Sequence, residues 1–148
     1  MVSAASLVCM IITCIIAFGL PIALLVYFRQ KKNADILPFF IGCGVMLLFA
    51  FVLEQLAHAV ILGSAAGAVI QKTPVLYAVY AGLMAGLFEE TGRFCAFRTV
   101  MKKDQKNADA LMYGAGHGGF EAMLLLGLTS INNIAYSVMI NTGVLDAM

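Results

Sequence analysis

The sequence predicts an all-α, polytopic transmembrane helix bundle, and three observations carry that expectation. Hydrophobic residues make up 62% of the 148-residue chain and charged residues only 11%, where an ordinary globular domain holds about 45–50% and about 25%. The mean hydropathy of +0.96 agrees. The apolar residues also fall into long runs separated by short polar or charged segments. A soluble domain of this size has too little interior to hide so much apolar surface, so the solvent is lipid.

The first run, Ala4 to Phe28, crosses a hydrocarbon core of about 30 Å at 1.5 Å per residue. Pro21 is expected to kink it. A secretory signal would begin with a positive segment. Here Arg29, Lys31 and Lys32 follow the run, so it reads as an anchor. The second run spans Ile36 to Leu62, with Asn33 or Asp35 as helix cap and Pro38 in the first turn. Residues Gly63 to Thr73 read as a small-residue loop, and Thr73-Pro74 as the cap and first position of a third helix, Val75 to about Phe97. A charged loop precedes Asp109, which is expected to cap a fourth helix over Ala110 to about Ser130. The remainder, with Asn132, Asn133, Asn141 and Asp146, is at most a partial fifth span. Residues 1–148 form one transmembrane domain.

Loop charge sets the expected orientation. The loops after the first and third helices carry three and four Lys/Arg, and the loop after the second carries one. The positive-inside rule then places loops 29–35 and 98–109 in the cytoplasm and the N-terminus outside. A net charge of +1 with no basic tract gives no reason to expect a nucleic-acid partner. Cys9, Cys14, Cys43 and Cys95 all lie in apolar runs without C-x-x-C spacing. They indicate small buried hydrophobes, not disulfides or a zinc site.

Ionisable groups at membrane depth are costly and usually face the bundle interior for a purpose. Glu54, Glu89, Glu90, Glu121, His58, His117 and a single cation, Arg93, fall within the predicted spans. Arg93 follows Glu89 by four residues and Glu90 by three, so both carboxylates can reach the guanidinium on one helix face. Two adjacent carboxylates sharing one cation are not equally ionised, which is how one of them is kept as a base. Gly82 and Gly86 continue that face and would admit a neighbouring helix.

Tyr113, His117 and Glu121 recur every four residues and form a polar stripe on the fourth helix. Glycines at 114, 116, 118 and 119 surround His117. Each lowers helix propensity by roughly 1 kcal/mol, a cost that points to a close backbone approach. Counted at 1.5 Å per residue, Glu89 lies about 14 Å and His117 about 12 Å from the charged loop, so the two clusters share a level. Glu54 and His58 form a third pair on the second helix. By the same count they lie about 26 Å from that side and fall short of the other clusters.

The run Glu89-Glu90-Thr91-Gly92-Arg93 matches the E-E-x-x-R motif of the CAAX-protease and bacteriocin-processing superfamily, and Tyr113-Gly114-Ala115-Gly116-His117 looks like its second motif. The fuller local sequence, roughly Gly82 to Leu125, resembles the YhfC-like family of glutamic-type intramembrane proteases. The resemblance implies a glutamate that activates water against a peptide carbonyl, with a histidine assisting. It makes Glu89 and Glu90 the catalytic pair, Arg93 their arginine and His117 the second-motif histidine. Members of the superfamily carry a further histidine and an asparagine or aspartate on later helices. No histidine follows His117, and Asn132 and Asn133 are candidates for the amide. The chain is therefore expected to be the N-terminal part of a longer family fold, and a truncated or inactive member stays open.

The resemblance implies a protein or peptide substrate in the membrane, membrane lipid as the other partner, and a bacterial plasma membrane as the location. No cofactor is expected. Zinc held by His117, Glu121 and Glu89 is the variation, although H-E-x-x-H is absent. Glu89, Glu90 and Arg93 could also be a buried ion triad that sets helix register, and Glu54 with His58 a helix–helix contact. The other functional classes are a proton-coupled transporter component and a non-catalytic scaffold or immunity protein. Transporters usually show inverted repeats, and this sequence shows none.

Overall fold

The computed structural model describes residues 1–102 and 106–144. All regular structure among them is helical. Helix α1 covers Ala4–Lys32, and α2 runs over Leu37–Leu62. Short α3 covers Ala65–Lys72 and α4 covers Pro74–Arg98. Helix α5 runs unbroken over Asn107–Thr142.

Helix α1 begins where the Ser3 hydroxyl accepts from Ser6 N–H at 3.2 Å. It ends at Asn33, whose φ of 49° lets Ala34 N–H return to the Phe28 carbonyl at 3.1 Å. Asn33 thus closes α1 and does not open α2. Ile36 precedes α2 without a side-chain cap, and Pro38 occupies the first turn as expected.

Asp109 is not the cap residue of α5 but lies in its first turn, behind Lys106. Its carboxylate accepts from Lys106 N–H at 3.1 Å and from Asp35 N–H at 2.7 Å. One buried side chain therefore ties the α1–α2 connection to the start of α5. Lys103, Asp104 and Asp146 lie outside the described residues.

Among the described residues three helices are long and apolar enough to cross a membrane, namely α1, α2 and α5. Helix α4, at 25 residues, has the length to do so at 1.5 Å per residue. Glu89, Glu90, Arg93 and Arg98 dilute its hydropathy. The expected partial fifth span is not a separate element, because α5 continues through Asn132 and Asn133 to Gly143, which closes it at φ 72°. No glycine or proline interrupts Thr129–Thr142. The expected loop at 63–73 is also largely helical. Ser64 caps α3 by accepting from Gly67 N–H at 3.2 Å, and alanines fill its first turn.

Both long inner helices contain a π segment, Leu47–Glu54 in α2 and Met123–Leu128 in α5. The first ends on Glu54 and the second starts two residues past Glu121. Such bulges recur at functional sites. Phe51 and Phe120 meet edge to face beside them, with centroids 6.2 Å apart.

The core lies where α2 crosses α5. Phe39, Met112 and Ala115 pack there with Ala34, and Ala96 of α4, Met101 and Tyr113 pack alongside. At the crossing, a Cβ on Gly116 would strike the Phe39 backbone, and one on Gly42 would strike the Tyr113 carbonyl and lie 2.7 Å from the His117 nitrogen. Gly119 takes Pro21 of α1 in the same way. The close approach expected around His117 is therefore real. It is made by Gly116 and Gly119, while Gly114 and Gly118 face open space. Gly82 and Gly86 also have no neighbour among the described residues. On α4 it is Gly92 that meets Val45 and Phe49 of α2.

Candidate active site

The i, i+4, i+8 spacing on α5 sets the site. Tyr113 is 2% exposed and His117 6%, and their rings stack with centroids 5.6 Å apart. The Tyr113 hydroxyl lies 3.4 Å from His117 Nδ1. Phe97 of α4 closes the other side of Tyr113, edge on, at 5.0 Å. His117 Nε2 is buried and has no hydrogen-bond partner among the described residues. A buried polar atom left unpaired costs about 1–3 kcal/mol, so this nitrogen has a hydrogen bond open to a water or a ligand in the cavity it lines.

His117 lines a cavity of about 420 Å³ between α4 and α5, together with Glu89, Arg93, Phe97, Tyr113 and Glu121. The two clusters that the depth count places at one level do meet. The adjacent carboxylates part ways. Glu90 pairs with Arg93 at 3.0 Å on an exposed flank of α4. Glu89 is half-buried on the cavity wall and forms no ion pair among the described residues. The sequence allows Arg93 to take either carboxylate, and the structure gives it Glu90.

A smaller cavity of about 190 Å³ adjoins the first, since Glu89 and Glu121 line both. Its far wall is Glu54 with Gln55. The sequence count that keeps Glu54 away from the other clusters is therefore corrected. That count treats the helices as upright rods starting at one level, whereas α2 crosses α5 with Phe39 against Gly116. The eight residues of α2 leading to Glu54 are also π-helical, which adds a change of register. Glu54 Oε1 lies 3.2 Å from His58 Nε2, and His58 Nδ1 lies 2.8 Å from the Tyr80 hydroxyl. Tyr80 and Phe97 escape sequence reasoning, because an aromatic residue in an apolar run carries no signal of its own. Asn132 and Asn133 are exposed and line neither cavity, so the structure does not bring them to the site.

Helix bundle, buried imidazole and cavity-lining carboxylates together define a polytopic membrane protein with a polar chamber inside its span. The chain belongs to the YhfC intramembrane metalloprotease family, whose model matches residues 16–148. It is 41% identical over 149 residues to the Uncharacterized membrane protein YhfC of Bacillus subtilis (strain 168), a match that covers 100% of this chain and 58% of that protein. The chain thus spans less than two thirds of that relative's length. No solved structure matches it.

The family description implies a metal ion. His117, Glu89 and Glu121 offer an imidazole and two carboxylates to one cavity, which are donor types that zinc accepts. Yet among the described residues no group of three His, Cys, Asp or Glu side chains is placed to hold an ion. The described side chains do not by themselves make a metal centre.

Proposed function

We propose that this chain carries the hydrolytic site of an intramembrane protease of the bacterial plasma membrane, acting on a peptide bond of a membrane-embedded protein. The observation that supports this reading best is the unpartnered Nε2 of His117, on a cavity that Glu89 also lines. Glu89 is the general base. It takes a proton from a water in the cavity, and the hydroxide adds to the peptide carbonyl carbon. Glu89 then returns that proton to the departing amine, so one water is consumed for each bond cleaved.

His117 serves the developing oxyanion. In this reading the Tyr113 hydroxyl, 3.4 Å from Nδ1, donates to that nitrogen, and the ring proton of the neutral imidazole sits on Nε2. That N–H then donates into the cavity. Arg93 holds Glu90 and leaves Glu89 free. Glu121 adds a second carboxylate to the chamber wall. In this arrangement loops 29–35 and 98–109 face the cytoplasm and α4 crosses the membrane in addition to α1, α2 and α5.

The test is co-expression with a library of single-span membrane reporters, reading release of the reporter domain. Cleavage by wild type and its loss in Glu89→Gln, with the variant still folded in the membrane, supports the reading. Equal cleavage by the variant removes it.

A further inference from the structure

A second polar array stands beside the chamber and has no part in the hydrolysis described. Glu54 is 7% exposed at the end of the α2 π segment. Its carboxylate touches His58 Nε2 at 3.2 Å. The opposite ring nitrogen, Nδ1, touches the Tyr80 hydroxyl of α4 at 2.8 Å, with the two rings 5.4 Å apart. Carboxyl, imidazole and phenol are thus joined end to end, and each both accepts and donates a proton.

The groups that face Glu54 are His58 and Gln55 on its own helix, Glu89 of α4 and Glu121 of α5 across the smaller cavity. Among the described residues, His58 is the one basic group that pairs with it. Intramembrane Glu/His chains of this kind mark proton paths. A plain helix–helix contact would need neither the cavity at one end nor the tyrosine at the other.

We propose that Glu54, His58 and Tyr80 form a proton relay between the chamber and the Pro74 end of the bundle. In one passage the Glu54 carboxylic acid gives its proton to His58 Nε2. The ring gives its Nδ1 proton to the Tyr80 oxygen, and the tyrosine gives its original hydroxyl proton to water. One proton enters and one leaves. Glu54 remains as carboxylate, ready to take a proton from the chamber, the tyrosine is regenerated, and the imidazole ends as its other tautomer. Rotation of the ring or the reverse passage resets it.

The full chain, labelled with nitrogen-15 histidine and reconstituted in lipid bilayers, tests the relay without any substrate. It contains two histidines, and His58→Gln assigns their signals. After transfer to heavy water, solid-state NMR follows the loss of each ring N–H. The expected result is prompt exchange at His58 that Tyr80→Phe slows, the opposite of what loss of a protecting hydrogen bond alone would do, with His117 unchanged. Glu54→Gln reads the chamber end and keeps the test available if Tyr80→Phe does not fold. His58 exchange equal to wild type in the folded variants overturns the relay. The measurement involves no cleavage, so the relay and the protease reading stand or fall separately.

Discussion

Gly116 of α5 lies so close to the backbone of Phe39 in α2 that no Cβ fits between them. That crossing fixes the turn of α5 that carries His117. Cys43 reinforces it, its thiol donating to the Gly116 carbonyl at 3.4 Å. Adding one methyl here forces two helix backbones apart. Gly116→Ala is expected to destabilise the folded protein by roughly 1–3 kcal/mol, the usual range for overpacking. Gly118, two residues on, has nothing within 4 Å, so Gly118→Ala is expected to be neutral or slightly stabilising. Thermal unfolding of both variants in one detergent checks the contrast, and equal melting temperatures would contradict the packing account.

The neighbouring carboxylates of α4 should differ in consequence although they differ little in sequence. Glu89 lines the cavity beside His117, and Glu90 is held outside it by Arg93 at 3.0 Å. A positioned general base contributes about 10²–10⁴-fold, so Glu89→Gln is expected to reduce reporter cleavage by that order. Glu90→Gln leaves the base in place and is expected to reduce cleavage far less. Single substitutions compared at matched expression decide the assignment. The reverse order of effects would make Glu90 the base.

Much of this was legible in the sequence, for reasons that name what was not. Apolar runs locate the helices because lipid requires long runs, and helical periodicity alone brings Tyr113, His117 and Glu121 onto one face. Loop charge and rise bring Glu89 to the level of His117. Which carboxylate Arg93 takes is a rotamer choice between two allowed spacings, and sequence does not hold it. Glu54 is misplaced because a count of rise carries neither the crossing of α2 and α5 nor the π segment over Leu47–Glu54, which leaves no mark in an apolar run. Asn132 and Asn133 read as a site amide by type, yet they continue a helix that carries them past both cavities.

Tyr113 is a positioning residue, since it acts through His117. In the proposed mechanism its hydroxyl, 3.4 Å from Nδ1, donates to that nitrogen and selects the tautomer that bears the Nε2 proton. Tyr113→Phe keeps the ring stacked and removes that selection. Losing one donor to an oxyanion costs about 10²–10³-fold, and a shifted tautomer balance should cost less than that. Cleavage is therefore expected to fall through kcat with KM unchanged. Nitrogen-15 spectra of His117 should show proton density moving from Nε2 to Nδ1. A spectrum identical to wild type would separate Tyr113 from the imidazole's chemistry.

Asp109 offers a test of how the scaffold holds the site's first turn. Its carboxylate is 5% exposed and accepts from two backbone N–H groups, Asp35 at 2.7 Å and Lys106 at 3.1 Å. The first joins the α1–α2 connection to α5, and the second closes the helix start, where a negative charge also meets the helix dipole favourably. Hydrogen bonds to a charged group are worth about 1.5–3 kcal/mol each, and Asp109→Ala leaves both donors without that partner. Destabilisation by roughly 2–4 kcal/mol is expected, since water reaches part of the gap. Asp109→Asn keeps one acceptor oxygen and should recover about half the loss. Denaturant or thermal unfolding of the two variants gives the ranking. Similar stabilities for Asp109→Ala and wild type would mean that the α2–α5 crossing alone holds the end of the bundle.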